Sequence, residues 1–272
     1  MLPYWPRIWA IFICLIIPSV GQACTPRDFL GMILPAASDD LAVSSVLFAY
    51  PTLSYDAAED VLRSDSGAMK VAGPSEQPPH QALETPTFGA QFRYVYPLAF
   101  DLTQRETPWV DPGRLRNADF MALLYFEDEA TARASLTQVT HPASGTTFNV
   151  TQKQGVACQL QAALAEIGPE HGALFQSVGG SFNWRVISGT TRLSVHSYGA
   201  AVDLSTKLGA YWKWQGGKPG GVGPFANQIP QDVVQAFEKY GFIWGGKWHH
   251  FDSMHFEYRP ELIVYARLFA GG

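Results

Sequence analysis

Apolar and polar positions in the last third of the chain follow two periods. "SFNWRVI" (181–187), "AAVDLS" (200–205) and "MHFEYR" (254–259) alternate residue by residue and predict three strands. Between the last two, "IPQDVVQAFEKYGF" (229–242) predicts a helix with Pro230 in its first turn. Val233, Val234 and Phe237 form its buried face, and Gly241 is its stop. A second helix is written in "GVACQLQAALAEIG" (155–168), where Val156, Leu160, Leu164 and Ile167 line one face before Gly168-Pro169 ends it. "NADFMALLYF" (117–126) predicts a third, with Asn117 as N-cap and Phe120, Leu123 and Leu124 at helical spacing. Residues 24–62 show no single period. "VAGPSEQPPHQALETP" (71–86) carries four prolines and reads as an extended connector. The pattern predicts an α+β protein: a small antiparallel sheet with flanking helices over 151–272, and a loop-rich N-terminal accessory region over 24–150.

The beginning of the chain reads differently. "MLPYWPRIWAIFICLIIPSVGQAC" has Arg7 as its only charge, an unbroken apolar run over 8–17, and small residues up to Ala23. A run of this length fits an export signal better than a membrane span, so residues 1–23 are expected to be a signal peptide cut after Ala23. The protein is then expected outside the cytoplasm, in the periplasm or cell envelope. Of three cysteines, Cys14 would leave with the signal, and Cys24 and Cys158 would remain where a disulfide is permitted. A buried free Cys158, or a lipid on Cys24, are the alternatives. The formal charge of −5 gives no basic face for nucleic acid, and nothing in the chain implies a protein partner.

The chemistry gathers in "WHHFDSMHFEY" (248–258), which holds His249, His250 and His255, three of the seven histidines of the chain. Upstream, "LSVHSYGAAVDLS" places His196 and Asp203 seven residues apart. A single Zn²⁺ site takes three protein ligands and leaves a fourth position open, and His196, Asp203 and His255 form such a set. Gly199 permits a tight turn after His196, and Ala200 and Ala201 let the next strand pack closely. Strand alternation sends Met254, Phe256 and Tyr258 one way and His255 and Glu257 the other. Glu257 can then orient a ligand imidazole. Asp252, just before that strand, stands where a carboxylate can move a proton during hydrolysis. His250 is a candidate to contact substrate or support a ligand. "YWKWQGGKPGGVGPF" (211–225) is a glycine-rich loop that either roofs a cleft with Trp212 and Trp214 or packs them away.

"SVHSYGAAVD" together with "DSMHFEY" resembles the zinc D-alanyl-D-alanine carboxypeptidases, a family that includes VanY-like, VanX-like and L-alanyl-D-glutamate endopeptidase-like enzymes. The resemblance covers roughly 179–262, with "DPGRLR" (111–116) a weaker echo upstream. It implies one Zn²⁺ on His196, Asp203 and His255, with Asp252 as general acid/base. It also implies an arginine holding the scissile carbonyl oxygen, for which Arg185 is the first candidate and Arg192 the second. Ser194 matches the family's Ser-x-His element and is expected to fix substrate or the ligand loop. The implied substrate is a peptidoglycan stem peptide. Carboxypeptidase action on terminal D-alanine is the first expectation; an endopeptidase, or a zinc-bearing wall-binding module without activity, are the alternatives.

Overall fold

The computed structural model describes residues 24–74 and 76–271, so the expected signal peptide and its cut lie outside the described residues. Helix α1 (Leu41–Ala49) starts at Asp40, whose carboxylate accepts from the Val43 N–H. Strands β1 (Ser54–Asp56), β2 (Val61–Ser64) and β3 (Gly67–Lys70) form an antiparallel sheet. The proline-rich connector follows, broken by the short helix α2 (Pro79–Ala82). Helix α3 (Ala118–Leu124) begins where its cap predicts, with Asn117 Oδ1 accepting from Phe120 N–H at 2.8 Å. Helix α4 (Glu129–Ala134) leads into a hairpin of β4 (Leu136–Thr140) and β5 (Thr147–Thr151). The boundary expected at 150/151 falls at the end of this hairpin, where Thr151 N–H donates to Gly199 O at 3.0 Å.

Helix α5 (Val156–Ala165) follows, and then β6 (Val178–Gly180), β7 (Ala201–Ser205), α6 (Gln231–Lys239), β8 (Phe242–Trp244), β9 (His255–Tyr258) and α7 (Pro260–Gly271). The sheet that matters runs β6-β7-β9-β8, antiparallel throughout. Its register sets Asp203 opposite His255, Val202 opposite Phe256 and Ala201 opposite Glu257. Residues opposite one another share a face, so one face carries Asp203, His255 and Glu257. The other carries Val202, Phe256 and Tyr258, all buried. Phe237 of α6 stacks on Phe256 with centroids 4.1 Å apart, and burying a side chain of this size contributes roughly 1.5–3 kcal/mol.

A single buried cluster takes Leu62, Phe88, Phe120 and Tyr125 from the N-terminal region and Leu160, Phe237, Phe256 and Ile263 from the rest. Glu238, also on α6, is buried with Lys247, whose Nζ donates to its Oε1 at 2.6 Å and to Pro97 O at 2.7 Å. Cys24 and Cys158 are disulfide-bonded, fastening the start of the described chain to α5.

One expected strand does not form. Over 181–187 only Val186 pairs, as a single bridge to Leu193. The backbone there is taken up by the next turn: Asn183 N–H donates to His196 O and Arg185 N–H to Ser197 Oγ. Val186, which strand alternation would place on one face with Phe182 and Trp184, is 49% exposed. Pro230 sits at the N-cap of α6, one position before the first turn.

Candidate metal centre

His196 is carried by a 3₁₀ turn, Val195–Tyr198, between the bridge and β7. Ser194 caps that turn, with its Oγ facing His196 N–H at 3.4 Å, and its side chain lines the cleft. Gly199 ends the turn at φ +67°, and a Cβ there would lie 2.8 Å from Thr151 N. No other residue fits both the left-handed conformation and that approach. The imidazole of His196 is aimed by its own Nδ1, which donates to Ser181 O at 2.5 Å and leaves Nε2 facing inward.

Asp203 and His255 reach the same point as a cross-strand pair. His196 Nε2 lies 3.2 Å from both His255 Nδ1 and Asp203 Oδ1, and Nδ1 and Oδ1 are 2.9 Å apart. In a tetrahedral site with bonds near 2.0–2.1 Å, neighbouring ligand atoms stand roughly 3.3 Å apart. The observed triangle approaches that size. Its electrostatics match a cation as well. Burial pushes the His255 imidazole down, but hydrogen bonds to Asp203 and Glu257 outweigh it and raise it to about 10. Burial pushes Asp203 up, and the two imidazoles reverse this, holding it well below the usual carboxylate range. These groups call for positive charge at their centre, which a divalent metal supplies.

Glu257 stands behind His255, accepting from Nε2–H at 3.0 Å. Burial would raise its carboxyl, but the Arg116 guanidinium and His255 hold it low. Asp252 lines a cleft of about 400 Å³ that opens onto the triangle. Its backbone pairs with Tyr211 and its N–H donates to Gly245 O. Burial, and then the charge of Asp203, raise the Asp252 carboxyl to about 6. A carboxylate that exchanges a proton near neutral pH is suited to general acid/base work.

Arg185 also lines this cleft, on its exposed side. Arg192 does not: its Nε and Nη1 are buried without a hydrogen-bond partner, and burial lowers it to about 10. Two arginines of the "DPGRLR" stretch do reach the cleft. Arg114 donates to His250 O at 2.6 Å and lies over Trp248, while Arg116 pairs with Glu257. Sequence pattern marked that stretch only faintly, because its partners lie more than a hundred residues away in the chain.

His250 sits apart from the triangle. Its Nδ1 donates to Asp111 Oδ2 at 2.7 Å, and its Nε2 accepts from Gly220 N–H at 2.8 Å, pinning the glycine-rich loop. His249 donates through Nδ1 to Arg105 O. The two tryptophans of the loop divide between the two expectations. Trp212 is buried against His250, whereas Trp214 is 62% exposed at the cleft.

The family model described as D-alanyl-D-alanine carboxypeptidase matches residues 188–258, a span holding His196, Asp203, Asp252, His255 and Glu257. No curated protein and no solved structure matches the chain. The match falls on the ligand triangle and on the strands that build it, and over residues 188–258 the chain is similar to the D-alanyl-D-alanine carboxypeptidase family.

Proposed function

We propose that this protein is an exported zinc peptidase that removes the terminal D-alanine from peptidoglycan stem peptides. The observation that carries the reading is the triangle of His196 Nε2, Asp203 Oδ1 and His255 Nδ1, with Asp252 in the adjoining cleft. His196, Asp203 and His255 would hold a zinc ion, which would supply Lewis acidity toward the scissile carbonyl and make water more acidic. Asp252 takes the proton of the attacking water and passes it to the leaving amine. Arg185 and Arg114 are the guanidinium groups available to the oxygen that gains charge. Ser194 holds the turn that carries His196, and Glu257 fixes the orientation of His255.

Export is supported by the Cys24–Cys158 bond, since such bonds persist in oxidising compartments. Asp252 separates the enzyme from a wall-binding module, which has no use for a base beside its metal. Mass spectrometry of a stem pentapeptide ending in D-alanyl-D-alanine, incubated with the zinc-loaded protein, tests the proposal. Loss of one alanine is expected. Release of a larger fragment would replace carboxypeptidase with endopeptidase action, and an intact peptide would overturn the enzymatic reading.

A further inference from the structure

A metal-ligating imidazole must turn one nitrogen to the metal and give the proton on the other to an acceptor. In His255 the inward nitrogen is Nδ1, 2.9 Å from Asp203 Oδ1, so Nε2 carries the proton and Glu257 receives it. Glu257 is fully buried. An ionised carboxylate in that position needs a counter-charge close by. Two arginines are near, and they are not equivalent. Arg259 is 3.5 Å from Glu257 Oε1, and its Nε is committed to Glu261, which is held in turn by Tyr50 OH at 2.6 Å. Arg116 meets both oxygens of Glu257 from Nε, at 3.0 and 3.1 Å.

The backbone around Arg116 is fixed to the same neighbourhood. Asp111 accepts from His250 N–H and Nδ1–H, Pro112 O accepts from Trp248 Nε1–H at 2.6 Å, and Gly113 O accepts from Arg259. Gly113 has φ +103°, and a Cβ there would stand 2.3 Å from Ile243 Cδ1. The segment 111–116 is thus seated against β8, β9 and the residues before Asp252, and only glycine fits at its centre. None of it lies within the residues that the family model matches.

We propose that Arg116 is a positioning residue of the metal centre, which acts through Glu257 to hold His255 with Nδ1 toward the metal. The N-terminal region thereby contributes to the affinity of a site whose ligands all lie in the C-terminal half. This inference rests on the reading of His196, Asp203 and His255 as metal ligands. Its substance is that one ligand of the set is held in position by an arginine from outside the matched segment.

The test is zinc affinity, measured by competition with a chromophoric chelator on the purified full chain. Arg116→Gln is expected to bind zinc about 10–100-fold more weakly, the usual effect of losing such an outer partner. Arg116→Lys keeps the charge but not the fork, and should fall between that variant and wild type. Adding Arg116→Gln to Glu257→Gln should change affinity little beyond Glu257→Gln alone, because the arginine acts through the carboxylate. A purely structural arginine would lower the urea midpoint of the metal-free protein and leave zinc affinity unchanged, which would overturn the proposal. Independent, additive losses in the double variant would overturn it also. If Arg116→Gln does not fold, wild-type affinity in Arg116→Lys contradicts the proposal and intermediate affinity supports it. His255→Ala in the same assay separates the two levels: unchanged affinity there would sink the metal reading itself.

Discussion

At the scale of residues, the reactive groups were legible because each has a chemical signature that survives without structure. Three histidines in a short aromatic stretch, and a His–Asp pair seven residues apart, require only a tight turn and two paired strands to meet. The arginines carry no such signature, since a guanidinium finds its partner through the fold. Arg185 and Arg192 were candidates through the family resemblance, and the structure sets Arg114 in the cleft beside Arg185 while Arg192 stays out of it. Arg114 is the better fixed of the two, held by His250 O and Trp248. Fixed donors stabilise developing charge best, so Arg114→Lys is expected to lower kcat more than Arg185→Lys, with zinc content unchanged in both. Equal rates for wild type and Arg114→Lys would remove Arg114 from the chemistry. Asp252→Asn should keep fold and zinc while turnover falls by about 10²–10⁴-fold. The sign of the pH dependence follows from the same residue. Burial and Asp203 raise its carboxyl to about 6, and a base works only when ionised, so kcat/KM should fall as pH drops through that value. A bound cation draws the limb lower. If residual activity in Asp252→Asn keeps the same acid limb, another group is the base.

At the scale of elements, regular pattern foretold helices α3, α5 and α6 and the two central strands, missed α1, α2, α4 and α7, and misled where side chains and turns compete for backbone. The stretch 181–187 alternates as a strand should, yet Ser197 Oγ and His196 O take its amide hydrogens. The two-residue period reports only which side chains could share a face. Its failure here leaves Arg185 on an irregular, exposed segment. Where a turn is dictated by sterics the sequence reads more reliably. Gly199→Ala combines left-handed strain with a Cβ 2.8 Å from Thr151 N, and should cost about 2–3 kcal/mol in urea unfolding. A loss below the error of that measurement would contradict the account of the turn. The Lys247–Glu238 pair was invisible in the sequence, because neither residue announces its burial. Lys247→Met leaves Glu238 without a counter-charge and is expected to destabilise by about 3–5 kcal/mol. A variant as stable as wild type would show that Tyr96, whose hydroxyl donates to Glu238 Oε1, alone supports the carboxylate.

At the scale of the whole molecule, one core runs through regions that composition had separated. The connector at 71–86 signals a break because prolines punctuate the chain, but residues on both sides of it pack into the same interior. The Cys24–Cys158 bond has the same effect, spanning 134 residues. Closing so long a loop stabilises by up to about 5 kcal/mol in the chain-entropy treatment. Reducing agent should therefore shift the urea midpoint well down, and an unchanged midpoint would show that the bond constrains little. The central claim is that this architecture exists to bring two strands and a turn together around one metal ion. Metal analysis of the purified full chain tests it most directly, with His196→Ala and His255→Ala beside wild type. About one zinc per wild-type chain and nearly none in either folded variant is the predicted result; full zinc in both variants would contradict it.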